Sequence, residues 1–127
     1  MSDELVNVRY MVDDVEKAVD FYTTHFGFTV GTNAIPAFAD VVRGRLRLLL
    51  SGPRSSAGRP MPDGRTPEPG GWNRIHFIVD DIAAETARLR AAGIGFRNDI
   101  VSGPGGRQIL LEDPAGNPIE LFQPAER

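Results

Sequence analysis

The side chains able to perform chemistry in this chain are few, because it has no cysteine and only two histidines. The absence of cysteine excludes disulfide bonds, thiolate catalysis and cysteine-ligated zinc, which leaves histidine, aspartate and glutamate as the strong metal ligands. His25 falls in the last turn of a predicted helix, where the helix dipole favours a partly charged side chain. His76 lies on a predicted strand beside Arg74, and we expect it to hydrogen-bond a neighbour or a ligand.

His76 belongs to a nine-residue segment that occurs twice, since Arg74–Ile82 repeats the pattern of Asn7–Val15. Both copies alternate apolar and other residues with period two, which predicts a strand with one apolar face. That face holds Val8, Tyr10 and Val12 in the first copy and Ile75, Phe77 and Val79 in the second. The opposite faces hold Asn7, Arg9 and Met11, and Arg74, His76 and Ile78.

In the first copy an aspartate follows the strand and can cap a helix from about Val15 to His25, which Gly27 ends. Further strands are predicted from Phe28, over Ala37–Arg43 and over Leu46–Leu50. The second copy predicts a helix to about Ala91 and strands at Phe96–Ile100, Gln108–Glu112 and Pro118–Gln123. The sequence therefore predicts an α+β fold of two tandem βαβββ modules in one domain, residues 1–127, with module one at 5–51 and module two at 72–124.

Residues 52–71 separate the modules and contain five prolines and five glycines. This composition predicts a polar linker without regular structure, and a lid over a site is the alternative.

Composition argues against several function classes. With 41% hydrophobic and 24% charged residues the chain is typical of a globular protein. The net charge of −3 and the lack of a basic stripe argue against nucleic-acid binding. No apolar run approaches the roughly 18 residues of a membrane span, and the N-terminus lacks signal-peptide features, so we expect no membrane partner and a cytoplasmic location.

Several motifs together resemble the vicinal oxygen chelate superfamily of glyoxalase I, extradiol dioxygenases, fosfomycin-resistance enzymes and bleomycin-resistance proteins. They are the Val-Asp-Asp strand ends, Phe21-Tyr22, Phe26-Gly27-Phe28 and Asp113-Pro114-Ala115-Gly116-Asn117-Pro118-Ile119-Glu120-Leu121. The resemblance covers nearly the whole chain. It implies modules whose curled mixed sheets enclose a shared cleft, commonly in a homodimer.

The resemblance also implies four metal-ligand positions, on the first and last strand of each module. Matching the two copies puts them at Asn7, Leu48, Arg74 and Glu120. Only Glu120 is a strong ligand, and a permanent guanidinium would repel a metal. We therefore expect no metal and predict that Arg74 takes its place and pairs with Glu120. His76, roughly 6.6 Å along the strand from Arg74, could replace a ligand only after a register slip of two.

The first functional hypothesis is a metal-independent binding protein of the bleomycin-resistance type, which sequesters an aromatic or flat apolar compound such as an antibiotic. Arg9, His76 and Gln108 would orient the ligand in a mostly apolar cleft. The full set of predicted contacts is Arg9, Met11, Phe38, Leu48, Trp72, Arg74, His76, Ile78, Gln108, Leu110, Glu120 and Phe122.

The alternatives are enzymes and an accessory protein. A glyoxalase-like lyase or a dioxygenase would need a divalent metal, with His76 and Glu120 among the catalytic groups. A metal-free lyase or isomerase could use the same two residues as acid and base. An accessory paralogue without a small-molecule role is the third hypothesis. In each case two small modules with apolar strands predict a homodimer.

Overall fold

The computed structural model of the protein describes residues 4–126 as two compact units that divide between Gly70 and Gly71. Each unit contains one long helix and one four-stranded mixed sheet, and neither sheet closes into a barrel. These units follow the two copies of the repeat. The predicted α+β fold of tandem βαβββ modules is therefore confirmed.

Module one contains β1 (Val6–Met11), α1 (Val15–Phe26), β2 (Thr29–Ala34), β3 (Phe38–Arg43) and β4 (Leu46–Ser51). The sheet order is β1-β4-β3-β2, with β1 parallel to β4 and the other pairs antiparallel. The alternation of β1 is confirmed, because Tyr10 is buried while Asn7 and Arg9 are exposed. One sheet face thus joins the core with Leu48 and Leu50, and the other is open.

The ends of α1 follow the predicted capping chemistry. The side chain of Asp14 accepts a hydrogen bond from the Lys17 N–H at 3.1 Å. Gly27 ends the helix in the left-handed conformation, at φ 69°, where a residue with a Cβ would be strained. The buried side of α1, which includes Ala18 and Tyr22, covers the apolar face of the sheet.

Module two contains β5 (Ile75–Ile78), α2 (Ile82–Ala91), β6 (Val101–Gly103), β7 (Gly106–Glu112) and β8 (Pro118–Pro124). The sheet order is β5-β8-β7-β6, again with the first and last strands of the module parallel. Its core includes Phe77, Leu89, Ile109, Ile119 and Leu121, all buried. Gly103 pairs with Gly106 across β6 and β7, so Pro104 and Gly105 form the turn of a hairpin.

The strand predicted at Phe96–Ile100 is wrong. Phe96 forms only an isolated bridge with Leu111, and regular pairing begins at Val101. The side chain of Asn98 accepts the Leu110 N–H at 2.9 Å and so takes a donor that a regular strand would have used.

The linker is more structured than its composition predicts. Ser56–Gly58 form a turn of 3-10 helix, and Ser55 and Gly58 are buried. A Cβ at Gly58 would come 2.7 Å from the Gly52 carbonyl oxygen, so this turn requires a glycine. The prediction that residues 52–71 lack regular structure is therefore wrong over these three residues. No helix in the described part of the chain is long and apolar enough to cross a membrane.

Candidate functional site

The open face of module two contains a carboxylate, that of Glu120, which is paired with an arginine. The parallel register of β5 and β8 places His76 directly opposite Glu120. Oε1 of Glu120 accepts hydrogen bonds from Nε of Arg74 at 3.0 Å, and Nη2 of the same guanidinium lies 3.0 Å away. Oε2 lies 3.5 Å from Nε2 of His76. The predicted pairing of Arg74 with Glu120 is present, with His76 as a second neighbour of the carboxylate.

The position of Glu120 follows from the alternation of β8. Ile119 and Leu121 point into the core and are 0% and 1% exposed, so the residue between them faces the other way. The Glu120 side chain is only 9% exposed on this open face. A carboxylate at that depth needs charged or hydrogen-bonding partners, and Arg74 supplies them.

Apolar and aromatic groups surround the carboxylate. The rings of His76 and Phe122 lie with their centroids 5.0 Å apart and their planes tilted by 35°. Ile78, at the end of β5 and opposite Phe122, is 66% exposed and adds apolar surface to this face. The register puts Leu110 beside Glu120 and Gln108 beside Phe122. Module two therefore gathers these predicted residues on one face: Arg74, His76, Ile78, Gln108, Leu110, Glu120 and Phe122.

Trp72 is held at the start of module two by two arginines. Its indole is packed on the guanidinium of Arg97, whose Cζ lies 4.7 Å from the ring centroid. Its carbonyl oxygen accepts a hydrogen bond from Nη1 of Arg74 at 3.2 Å. The residue is nevertheless 69% exposed. Trp72 thus presents a fixed aromatic surface to solvent, connected through Arg74 to Glu120.

Sequence reasoning missed Arg97. Its guanidinium donates to Oε2 of Glu112 at 2.6 Å and to the carbonyl oxygens of Gly71 at 2.8 Å and Gly116 at 2.9 Å. These bonds fix the plane on which the Trp72 indole rests. Two of the three acceptors are backbone carbonyls distant in sequence, and no residue pattern identifies such acceptors.

In module one, Arg9, Met11 and Phe38 lie together on the open face of the sheet. The register aligns Met11 with Ser51 and Ser51 with Phe38 across three neighbouring strands. Nη1 of Arg9 donates to Oγ of Ser51 at 2.7 Å. The prediction from strand parity that Arg9 and Met11 share a face is confirmed.

The placement of Leu48 is wrong. Leu48 pairs with Val8 on the core side of β4 and is 0% exposed, so it contacts no ligand on the open face. The counterpart of Glu120 is Leu49, because β4 aligns Leu49 with Arg9 as β8 aligns Glu120 with His76. Matching the two copies by sequence is therefore displaced by one residue at this strand, and a shift of one residue reverses the face of a strand.

The donor set does not fit a divalent metal. No three His, Asp or Glu side chains come together as a possible metal site anywhere in residues 4–126. The amide oxygen of Asn7 accepts a hydrogen bond from Nε of Arg47 at 3.0 Å, and the Arg74 guanidinium occupies one side of Glu120. His76 and Glu120 together supply two donors, whereas a zinc site in a protein takes three or more protein ligands.

The family model of the Glyoxalase/Bleomycin resistance protein/Dioxygenase superfamily matches residues 4–121, and the chain belongs to this family. The resemblance to the vicinal oxygen chelate superfamily is therefore confirmed. No curated protein matches the sequence significantly.

Solved structures of the same family resemble the chain over nearly its whole length. A superfamily member from Sphaerobacter thermophilus DSM 20745 is 30% identical, with 94% of this chain and 95% of that chain covered and a TM-score of 0.74. TnmS3, an antibiotic binding protein from Streptomyces sp. CB03234, is 28% identical, with 98% of both chains covered and a TM-score of 0.71. A lactoylglutathione lyase from Agrobacterium tumefaciens is 25% identical, with 96% and 94% covered and a TM-score of 0.70. The neighbours thus include both binding proteins and enzymes.

Proposed function

We propose that this protein binds and sequesters a small aromatic or flat apolar molecule without a metal. The observation that carries the proposal is the Arg74–Glu120 pair, with both guanidinium contacts at 3.0 Å. A carboxylate that already binds an arginine has little capacity left for a cation. The similarity to TnmS3, an antibiotic binding protein, supports the same reading and makes an antibiotic one candidate ligand.

The open face of module two has the composition of a site for such a ligand. Trp72 and Ile78 are exposed large apolar side chains, and Phe122 and Leu110 extend the apolar surface. Flat ligands bind such surfaces by stacking and by removing apolar area from water. His76 and Gln108 offer a few polar contacts that would fix the orientation of the ligand.

The test is a ligand screen read by Trp72, which is the only tryptophan. Aromatic natural products are titrated into the protein while indole fluorescence is followed, and hits are checked by calorimetry. A saturable change that calorimetry reproduces supports the proposal. A panel with no saturable binding at micromolar concentration contradicts it.

Metal content is measured on the same preparation. Protein purified without chelator is offered nickel, zinc, manganese and iron(II) in excess, and bound metal is counted by mass spectrometry. We expect less than about a tenth of an equivalent, because two donors are too few for tight binding. One equivalent per chain would contradict the proposal and favour the metal-dependent lyase or dioxygenase.

A second candidate is metal-free acid–base catalysis, as in a lyase or isomerase. The observation in its favour is the 3.5 Å separation of His76 Nε2 and Glu120 Oε2, with the histidine 43% exposed. His76 would pass the proton to and from the substrate, and Glu120 would orient the imidazole. Substitution His76→Gln separates the two functions, since catalysis requires the imidazole whereas sequestration loses only one polar contact.

We propose in addition that the protein is a homodimer. Val6 on the edge strand β1 is 63% exposed, and Ile78 on the edge strand β5 is 66% exposed. Exposed apolar residues at unpaired strand edges are a common basis of symmetric association. Sedimentation velocity at micromolar concentration should give the mass of two chains, and the mass of one chain would contradict this proposal.

A further inference from the structure

Arg9 is a cation without a carboxylate partner. Among residues 4–126 it forms no ion pair, and its hydrogen-bond partner is the neutral hydroxyl of Ser51. Arg74, which directly precedes β5 in the other module, is by contrast bound to Glu120. Arg9 is exposed on the open face of module one. Its charge is therefore available to an anion from solution.

The guanidinium of Arg9 is held in place by a hydrogen bond to the buried hydroxyl of Ser51. Ser51 is 0% exposed, so its hydroxyl is a fixed anchor for Nη1 at 2.7 Å. A guanidinium has five N–H donors in one plane, and this bond uses one of them. The edge formed by Nε and Nη2 can still bind both oxygens of a carboxylate at once.

The surroundings of Arg9 are apolar. The register puts Leu49 beside it, and places Met11 and Phe38 on either side of Ser51. All three apolar residues are half-buried, so part of each remains accessible on this face. A charge-assisted hydrogen bond is strengthened where apolar neighbours limit access of water. The same neighbours can contact a ring attached to the anion.

The other charged groups of this face do not neutralise Arg9. Asp40 aligns with Leu49 from β3, but it is 4% exposed and its Oδ1 accepts the Thr32 N–H at 3.0 Å. Arg47 donates to Asn7 and adds a second positive charge to the face. Arg9 and Arg47 thus outnumber the single carboxylate of Asp40 on this face, and this excess of positive charge favours an anion.

We propose that Arg9 and its apolar neighbours form a recognition site for an aryl carboxylate. The guanidinium binds the carboxylate through its Nε and Nη2 edge, and Met11, Leu49 and Phe38 contact the ring. This inference rests on the proposed function in one respect, because it takes the ligand to be a small aromatic molecule. It adds that the preferred ligand is acidic.

The test compares 2-naphthoate with 2-naphthamide, which share a ring system and differ in charge. Calorimetry is carried out on the full chain and on the variants Arg9→Gln, Arg9→Lys and Arg65→Gln. Arg65 is the matched control, because its side chain is 84% exposed, it lies in the linker and its substitution changes the net charge equally. Thermal unfolding confirms that each variant is folded.

We expect naphthoate to bind at least about tenfold more tightly than naphthamide, as charge-assisted hydrogen bonds do relative to neutral ones. Arg9→Gln should remove this preference, Arg9→Lys should retain part of it, and Arg65→Gln should leave it unchanged. Higher salt should weaken only the binding of naphthoate.

Two results would overturn the inference. If naphthoate does not bind, the site is refuted, including the case in which a second copy of the chain covers this face. If both compounds bind equally and Arg9→Gln has no effect, the acidic preference is refuted while the proposed binding of aromatic molecules stands. Binding of naphthoate alone, lost in Arg9→Gln, supports the inference and counts against a ligand that is merely flat and apolar.

Discussion

The two modules share a topology and differ in how their open faces handle charge. In module two, Glu120 lies between Arg74 and His76, so the guanidinium and the carboxylate compensate each other, and the imidazole lies beside them. In module one the position of Glu120 belongs to Leu49 and that of His76 to Arg9. The first face thus presents an uncompensated cation beside apolar side chains, and the second presents a neutral network.

The same strand framework therefore accommodates different residues at equivalent positions: a leucine beside an arginine in module one, and a glutamate beside a histidine in module two. Core residues of both modules keep the same alternation, because burial against a helix demands it. The open faces have no such constraint, so their charges were free to diverge after the duplication. Function therefore cannot be inferred from the fold alone.

The largest effect is expected when Glu120 is made like its counterpart in module one. Glu120→Leu should lower the free energy of unfolding by about 2 to 3 kcal/mol, because Arg74 loses the carboxylate that compensates its charge and His76 loses a polar neighbour. The loss is moderated by the partial exposure of Arg74. Urea denaturation measures it.

The double variant Arg74→Met with Glu120→Leu tests whether the loss of stability in Glu120→Leu comes from the unpaired charge of Arg74. It should be more stable than Glu120→Leu alone, since no charge is then left without a partner. Glu85→Gln on the surface of α2, which breaks an exposed pair with Arg88, should cost less than about 1 kcal/mol and is the control. Equal losses for the single and double variants would show that the pair is not coupled.

The next effect concerns Trp72, whose position in the repeat corresponds to Leu5 in module one. Trp72→Ala should weaken binding of an aromatic ligand by about tenfold or more, because stacking and apolar contact are lost together. Calorimetry is the measurement, since this variant has no tryptophan fluorescence. Met61→Ala, at another exposed apolar residue, should leave affinity unchanged. Unchanged affinity in Trp72→Ala would remove Trp72 from the site.

A smaller effect is expected for Arg97, which has no direct place in the ligand site. Arg97→Met should release the Trp72 indole, reduce its near-ultraviolet circular dichroism and weaken ligand binding by about fivefold, the loss of one modest contact. Arg97→Lys should restore part of both signals. A loss of affinity with an unchanged dichroism signal would show that Arg97 acts by another route.

The smallest effect is expected when module one is made like module two. Leu49→Glu puts a carboxylate beside Arg9 and should change the free energy of unfolding by less than about 1 kcal/mol, as partly exposed ion pairs do. The same substitution should abolish any preference for naphthoate over naphthamide. A preference that persists would mean that Arg9 is not the anion site.

The sequence predicted the faces of the strands well and their partners less well. The two-residue period shows from the sequence alone that Arg9, His76 and Glu120 point away from the core. The register, which sets the residue that stands opposite on the neighbouring strand, is not contained in this period. A shift of one residue therefore put Leu48 on the open face in place of Leu49.

The remaining misses have a related cause. Asn98 and Arg97 bond to main-chain groups that are distant in sequence. Such bonds interrupted the strand predicted at Phe96–Ile100 and fixed the ring of Trp72. A propensity pattern is local and contains no information about distant main-chain donors and acceptors of this kind.

The parallel pairing of first and last strands has a consequence for folding. Val6 pairs with Leu46 and Ile75 with Ile119, so each sheet closes only after a loop of roughly forty residues has formed. Such closures are slow compared with hairpin formation. Module one has all its strands by Ser51, well before Ile75 leaves the ribosome. Module one can therefore complete its slow closure before all the strands of module two have emerged, without waiting for them.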